Sequence, residues 1–246
     1  MTKVKVYFSP ANLDELLLRD KTIVVIDVLR ASTTITYAMA AGAREIIPVE
    51  SVAQAMKIVG NLFSTSTILC GERGGKRIEG FKLGNSPAEY TKDVVEGKSL
   101  ILTTTNGAVA LTKAKYARHC FVTSFVNLSA SVKVLSELKD LEENGLTIIC
   151  SGREEDFSIE DALCAGMLVK ELSSPLKLEL TDSARTVLSI AKQYKKDILK
   201  TMQESDHGKY LSSIGLGDDI VTASKIDSVP IVPVLEQTAI RKKLTL

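Results

Sequence analysis

Short apolar runs rich in β-branched residues alternate along this chain with stretches of helical periodicity, and no other feature constrains the fold as strongly. The predicted strands are Val4–Phe8, Thr22–Ile26, Glu45–Val49, Thr67–Cys70, Ser99–Thr103, Cys120–Thr123 and Leu146–Cys150. The predicted helices are Thr33–Ala41, Val52–Phe63, Ala108–Ala117, Ser129–Asn144 and Ile159–Leu172. Strands separated by helices usually form a parallel sheet with helices packed on its faces. The sequence therefore predicts an α/β fold, layered α/β/α, with largely parallel or mixed sheets.

The C-terminal third of the chain follows a different pattern. Asp182–Met202 has the periodicity of a long amphipathic helix, and a stretch rich in Gly and Asp follows it over Ser205–Asp219. The last apolar stretch, Val229–Val234, carries Pro230 and Pro233. Because proline cannot donate to a ladder of backbone hydrogen bonds, we expect this stretch to lie at the edge of a sheet at best.

Two segments resemble each other and suggest an internal duplication. Thr34–Gly42 and Ser158–Gly166 share the pattern Ser/Thr-Ile-x-x-Ala-x-x-Ala-Gly, and each follows an apolar strand that begins Thr-Ile. An arginine comes soon after each of those strands, Arg30 in one case and Arg153 in the other. We interpret the pair as two copies of a strand–loop–helix unit. Coincidence among the small residues of packed helices is the alternative.

Charge and composition exclude several classes of protein. Lys and Arg number 31 against 30 Asp and Glu, a net charge of +1, so nothing indicates a nucleic-acid-binding surface. The four cysteines form no CxxC pair, and two histidines are too few for a His-rich metal site. No apolar run approaches the ~18 residues of a membrane span, and the first residues lack a signal-peptide pattern. We therefore expect a cytoplasmic protein that binds neither nucleic acid nor membrane.

Residues that follow the predicted strands define a candidate site, because ligands of parallel α/β sheets bind beyond the carboxyl ends of strands. Guanidinium groups, which suit phosphate, sulfonate or carboxylate, come from Arg30, Arg73 and Arg153. Carboxylates, the oxygen ligands that suit Mg²⁺, come from Asp27, Glu72, Glu160 and Asp161. Hydroxyl and backbone N–H groups at the start of a helix come from Thr105, Asn106 and Gly107. Together they predict a site for a multiply anionic substrate and a divalent cation.

Several of these residues also have a purely structural interpretation. Asp27 could cap the helix that follows it, because aspartate is a favoured N-cap residue. Glu160 and Asp161 fall in the first turn of a predicted helix, where acidic residues favour the helix dipole. His207, between Asp206 and Gly208, is a weaker candidate for the site.

Five motifs, spread over nearly the whole chain, resemble one known family. They are VVIDVLRASTTI (Val24–Ile35), GERGG (Gly71–Gly75), GFKLGNSP (Gly80–Pro87), TTNG (Thr104–Gly107) and SGREEDFSIEDALCAG (Ser151–Gly166). In this order they resemble the 2-phosphosulfolactate phosphatase family. Two departures are Ser32, where threonine or alanine is usual, and the acidic run of Glu154, Glu155 and Asp156. The acidic run could alter the edge of the pocket.

The resemblance implies a Mg²⁺-dependent phosphoric monoester hydrolase that converts 2-phospho-3-sulfolactate to 3-sulfolactate and phosphate, a step of coenzyme M biosynthesis. It also implies two similar lobes, in agreement with the repeat. We place them at approximately 1–120 and 121–246 of one catalytic unit spanning 1–246, with a C-terminal segment that could pack across both. Whether the protein forms a homodimer is left open.

The resemblance and the strand ends together assign roles to ten residues. The predicted catalytic residues are Asp27, Glu72 and Asp161, and the predicted metal ligands are Asp27, Glu72, Glu160 and Asp161. The predicted substrate-binding residues are Arg30, Arg73, Thr105, Asn106, Gly107 and Arg153. We expect the first lobe to bring Asp27 and Arg30 to Glu160 and Asp161 of the second lobe in one shared cleft.

Two mechanisms and two further functions stay open. Asp27 could attack phosphorus directly, or a metal ion could activate water. We prefer the metal-activated water, because Leu29 stands where the second aspartate of a DxD motif would be. The other functions are a phosphatase for a different small phosphorylated hydroxy acid and a non-catalytic anion-binding protein.

Overall fold

The computed structural model describes residues 1–11, 13–61 and 66–242. Within these ranges the strands are β1 Thr2–Tyr7, β2 Thr22–Ile26, β3 Glu45–Pro48, β4 Thr67–Arg73, β5 Lys76–Arg77, β6 Ser99–Thr103, β7 His119–Thr123, β8 Leu146–Cys150, β9 Leu178–Leu180, β10 Pro233–Glu236 and β11 Ala239–Lys242. The helices are α1 Ala31–Ala40, α2 Val52–Asn61, α3 Lys92–Val95, α4 Gly107–Lys113, α5 Leu128–Ser136, α6 Leu141–Asn144, α7 Ile159–Leu172, α8 Asp182–Tyr194, α9 Ile198–Glu204, α10 Asp206–Ser213 and α11 Gly217–Ala223. None of the helices in the described ranges is long and apolar enough to cross a membrane.

All of the described strands belong to one mixed sheet, in the order β5-β4-β6-β3-β11-β10-β7-β2-β8-β1-β9. One group of parallel strands is β4, β6 and β3, and the other is β7, β2, β8, β1 and β9. The hairpin β10–β11 joins the two groups through three antiparallel pairings. An odd number of antiparallel steps reverses direction, so the two groups run in opposite directions along the sheet.

The two faces of β2 show why the sheet is covered on both sides. Every residue of β2 is buried, as its continuous apolar run predicts. Ile23 belongs to the same hydrophobic cluster as Ile35 of α1, whereas Val24 belongs to the cluster that contains Leu163 of α7. Each fully buried Val or Ile side chain contributes about 1.5–3 kcal/mol to folding. The predicted α/β/α layering and the largely parallel sheet are therefore confirmed.

Most element boundaries agree with the periodicity. The predicted bounds of β2, β6, β8 and α7 are those observed, and β1, β3, β4, β7, α1 and α4 differ from prediction by one to four residues at an end. The prediction Val52–Phe63 is observed as α2 up to Asn61, and residues 62 and 63 lie outside the described ranges.

Two predicted long helices are wrong as single elements. Ser129–Asn144 breaks into α5 and α6, and Asp182–Met202 breaks into α8 and α9. Asp140 stands directly before α6 and Asp197 directly before α9. Because aspartate favours the start of a helix over its interior, each break comes where a new helix can begin.

The prediction for the last apolar stretch is also wrong. β10 lies near the middle of the sheet, where Val234 pairs with Phe121 of β7, and its other neighbour is β11. Pro233 is the first residue of β10 and Pro230 precedes the strand, so the strand interior contains no proline. A proline at the first position is compatible with a central strand, because only that residue lacks an N–H donor.

The internal duplication is not confirmed. The strands of the two repeat units, β2 and β8, are neighbours in one parallel group, where Ile26 pairs with Cys150. The helices that follow them, α1 and α7, contribute to different hydrophobic clusters. The division into lobes 1–120 and 121–246 stays a prediction, and the pairing of β2 with β8 crosses it.

The loops that follow strands of both groups meet, although the groups run in opposite directions. Arg30, after β2, donates a hydrogen bond from Nη2 to the carbonyl of Gly75, after β4, over 2.6 Å. Gly107, after β6, approaches Asp27 so closely that a Cβ atom on the glycine would lie 2.6 Å from Asp27 Oδ2. These contacts bring the loops after β2, β4 and β6 into one site.

Candidate active site

A small cavity lies where the loops after β2, β4, β6 and β8 meet helix α10. Its volume is about 40 Å³. At roughly 10–15 Å³ for each enclosed water, this is space for a few water molecules or one phosphoryl group. The polar side chains that line it are Asp27, Arg30, Glu72, Asn85, Thr104, Thr105, Asn106, Arg153, Glu154, His207 and Tyr210.

Asp27 combines a capping role with an open carboxylate oxygen. Its Oδ1 accepts a hydrogen bond from the N–H of Ala31 at the start of α1, over 3.0 Å. Its Oδ2 faces Gly107, where any side chain would collide with it. Burial raises the pKa of Asp27 to about 6; nearby His207 opposes this rise, and Glu72 adds to it. Asp27 therefore satisfies the first N–H of α1, although Arg30 occupies the N-cap position, and glycine at 107 leaves space beside the second oxygen.

Glu72 connects two loops of the site. Its Oε1 accepts from the N–H of Thr105 and its Oε2 from the N–H of Gly75, each over 2.7 Å. The hydroxyl of Thr105 lies 3.3 Å from the same Oε2. Glu72 thus holds the loop after β4 against the loop after β6, and this positioning role is the one that its hydrogen bonds define.

Asp161 connects the ends of β2 and β8 in the same way. Its Oδ1 accepts from the N–H of Val28 over 2.8 Å, and its Oδ2 accepts from the N–H of Gly152 over 3.1 Å. Burial raises the pKa of Asp161 well above its ordinary value, and the charges of Asp27 and Glu160 raise it further. The loop that carries Asp27 is therefore in direct contact with Asp161.

Glu160 faces a histidine. Its Oε1 lies 3.3 Å from Nδ1 of His207, which is in the first turn of α10 and lines the cavity. Burial raises the pKa of Glu160, but the hydrogen bond and charge of His207 outweigh it and hold the pKa below its ordinary value. Because Nδ1 faces Glu160, the other ring nitrogen of His207 is left for a ligand.

Arg30 lines the cavity with a charge that is already paired. It is 3% exposed, and its Nη1 donates to Oδ2 of Asp219 over 2.7 Å. Asp219 also accepts a hydrogen bond from the Ser86 hydroxyl over 2.5 Å. The buried ion pair fixes the position of the guanidinium group and reduces the net charge that a substrate meets there.

The other two predicted arginines differ from each other. Arg153 lines the cavity, donates to the carbonyl of Asp206 over 3.1 Å and lies 4.7 Å from the ring centre of Tyr210. Arg73 does not line the cavity: it is exposed and donates to the carbonyls of Glu72 and Glu50. Adjacent strand residues point to opposite faces, so a buried Glu72 directs Arg73 outward.

The three residues predicted in the loop after β6 are Thr105, Asn106 and Gly107, and they lie near Asp27 and Glu72. Thr105 and Asn106 line the cavity, and Asn106 Oδ1 accepts from the N–H of Glu154 over 3.0 Å. Gly107 is the first residue of α4 and contributes space beside Asp27.

The predicted metal ligands do not converge on one point. Among the described residues, no group of three His, Cys, Asp or Glu side chains is placed to hold a metal ion together. Glu72 and Asp161 accept from backbone N–H groups, and Glu160 faces His207. Asp27 does fit a Mg²⁺ ion, because such ions are commonly held by one or two carboxylates, water and the phosphate of the substrate. The metal site stays a prediction, with Asp27 its best-placed ligand.

Sequence reasoning missed two contributors to the site. Asp219, the partner of Arg30, follows no strand, and Tyr210 lies in the same Gly- and Asp-rich region without a recognisable motif. Both reach the site through contacts across more than half of the chain. His207 is a weaker candidate from the sequence, indicated by its position beside Asp206 and Gly208 and by the family resemblance of this segment.

The fold and the cavity define a class: α/β proteins with a small polar cavity beyond the carboxyl ends of sheet strands, where ligands of such sheets bind. A family model described as 2-phosphosulpholactate phosphatase matches residues 7–238, and the chain belongs to this family. A relative from Clostridium novyi (strain NT) is 38% identical over 98% of this chain and 100% of its own length. One from Pseudothermotoga lettingae is 41% identical over 86% of this chain and 88% of its own length. Each of these two relatives is named "Probable 2-phosphosulfolactate phosphatase".

Proposed function

We propose that this protein hydrolyses 2-phospho-3-sulfolactate to 3-sulfolactate and phosphate in a Mg²⁺-dependent reaction of the coenzyme M biosynthesis type. Membership of the family and the names of the relatives support the substrate class. The observation that carries the proposal is the open Oδ2 of Asp27 in a cavity of about 40 Å³, beside the Glu160–His207 pair. This arrangement provides an anionic group for a metal ion and a proton donor within one phosphate-sized space.

Asp27 would hold the Mg²⁺ ion. When bound, the ion would neutralise the non-bridging phosphate oxygens and lower the pKa of a water molecule. Glu72, Asp161 and Arg30 hold the surrounding loops in place through the hydrogen bonds described above. The stiffness of these loops fixes Asp27 relative to the phosphate, which is a large part of what phosphoryl-transfer enzymes supply.

His207 would protonate the leaving oxygen. Glu160 Oε1 lies 3.3 Å from Nδ1 of His207 and would orient the ring by its charge, so that Nε2 would be left to donate a proton to the alkoxide of 3-sulfolactate. Arg153, held by Tyr210 and the carbonyl of Asp206, would bind an anionic oxygen of the substrate.

A second candidate substrate class comes from the acidic loop after β8. Glu154 lines the cavity, and its exposed carboxylate belongs to a run of three acids. A negative charge at this position disfavours a triply anionic substrate. The alternative is therefore a phosphatase for a small phosphorylated hydroxy acid that carries fewer charges.

A phosphate-release assay tests the proposal. The substrates are 2-phospho-3-sulfolactate, 2-phospholactate and phosphoglycolate, each with Mg²⁺ and with EDTA. We expect the highest kcat/KM for 2-phospho-3-sulfolactate and loss of turnover in EDTA. A higher kcat/KM for phosphoglycolate would favour the alternative, and ligand binding without phosphate release from any substrate would indicate an anion-binding protein.

A further inference from the structure

A second cavity adjoins the first and is much larger. Its volume is about 290 Å³, against about 40 Å³ for the first, and Arg30, Gly75 and Asn85 line both. The small cavity has space for about one phosphoryl group. The proposed substrate also carries a carboxylate and a sulfonate, and the adjoining cavity offers space for a second acidic group.

The second cavity has more cations than carboxylates in its lining. Lys76 and Arg77 of β5 line it, and within the described ranges neither forms an ion pair with a carboxylate. One acid, Glu89, also lines this cavity, and it accepts hydrogen bonds from the N–H groups of Gly84 and Ser86. The two exposed cations and Arg30 therefore outnumber the one carboxylate in the lining.

Asn85 supplies an independent indication of a ligand. It is 4% exposed and lines both cavities, but its side-chain oxygen has no hydrogen-bond partner among the described residues. Buried polar groups in native proteins are rarely left without a partner. The same amide carries an NH₂ group, which can donate hydrogen bonds to an anion bound beside it.

We propose that the cavity lined by Arg30, Lys76, Arg77 and Asn85 binds a second acidic group of the substrate, a sulfonate or a carboxylate, while the phosphate occupies the cavity beside Asp27. The placement of the phosphate rests on the proposed function. Residues at the boundary, Arg30 and Asn85, would contact both groups, and Lys76 and Arg77 would contact the second group alone. Lys76 and Arg77 would therefore determine specificity.

Isothermal titration calorimetry tests this assignment without requiring turnover. The titrants are 3-sulfolactate and inorganic phosphate, and the proteins are the wild type and the Lys76→Gln/Arg77→Gln double variant. Lys82→Gln is the matched control, because Lys82 is an exposed cation of the neighbouring segment that lines neither cavity. We expect the double variant to bind 3-sulfolactate roughly 10- to 100-fold more weakly, the loss expected for charge-assisted hydrogen bonds. Phosphate affinity should change by less than about twofold, and Lys82→Gln should match the wild type.

Two further titrants identify which acid is bound. Lactate carries the carboxylate alone and 2-hydroxyethanesulfonate carries the sulfonate alone; weaker binding of either to the double variant supports the assignment. Unchanged binding of 3-sulfolactate, no binding of it to the wild type, or an equal loss for phosphate would overturn the assignment. The proposed function fails separately, when the wild type binds 3-sulfolactate but releases no phosphate from any substrate.

Discussion

Replacing Gly107 with alanine should displace the carboxylate of Asp27, because the added Cβ atom would collide with its Oδ2. A Cβ atom at position 107 would lie 2.6 Å from Oδ2 of Asp27 and 2.6 Å from Cβ of Ala31. The optimal separation of non-bonded carbon atoms is about 3.5–4.0 Å, so Asp27 and the start of α1 must move by about 1 Å. Because a displacement of this size costs on the order of 100-fold in rate, we expect kcat to fall by about that factor.

The same substitution should have a modest effect on stability. Overpacking costs about 1–3 kcal/mol, and replacing glycine by alanine in a helix returns about 0.4–1 kcal/mol. The net loss of about 0–2.6 kcal/mol corresponds to a Tm decrease of up to roughly 10 °C for a chain of this size. Differential scanning calorimetry and the phosphate-release assay measure the two effects.

Gly217→Ala is the matched control, since Gly217 is also the first residue of its helix, α11. The nearest atom to a Cβ there is Oγ of Ser212 at 3.7 Å, which is an ordinary contact. This variant should keep the wild-type kcat. If Gly107→Ala also keeps the wild-type kcat, then Asp27 Oδ2 does not need the space beside Gly107.

Three other substitutions separate binding, proton donation and positioning. Arg153→Lys keeps the charge but loses the two-pronged guanidinium, so kcat/KM should fall roughly 10- to 100-fold, and an unchanged value would place Arg153 outside the site. His207→Gln removes the proton donor, so kcat should fall about 10²- to 10⁴-fold with little change in the affinity for 3-sulfolactate; equal losses in both would indicate a binding role. Asp161→Asn turns an NH₂ group toward a backbone N–H and should destabilise the fold by about 1–3 kcal/mol, measured by urea unfolding. A free energy of unfolding equal to that of the wild type would show that the two backbone contacts of Asp161 are dispensable.

The local pattern of apolar residues was sufficient to predict strands of the central layer and one of the helices that cover it. β2, β6 and β8 are continuous apolar runs that are buried on nearly every residue, and α7 follows one of them with regular helical spacing. The strand-end rule then selected most of the residues that line the cavity, including Asp27. Each of these features depends on consecutive residues, and so it can be predicted from the sequence alone.

Contacts between distant segments account for what the sequence did not predict. β10 and β11 insert into the middle of the sheet although their residues come last in the described chain. Arg30 has its charge paired by Asp219, 189 residues away. The exposure of Arg73 does not depend on a distant contact. The predicted strand ends at Cys70, whereas β4 continues to Arg73, and the alternation of side chains along the longer strand places Arg73 on the face opposite to Glu72.

The activity of Asp27→Asn is the most direct test of the catalytic role proposed for this site. Burial raises the pKa of Asp27, which means that its ionised form is unfavourable in the folded protein, and the side-chain oxygen of asparagine can accept the same hydrogen bond from Ala31. The variant should therefore fold with an unchanged or higher Tm. Phosphate release from 2-phospho-3-sulfolactate in the presence of Mg²⁺ should fall at least about 10²- to 10³-fold. A folded Asp27→Asn protein that still releases phosphate at a rate near that of the wild type would contradict the catalytic role of this carboxylate.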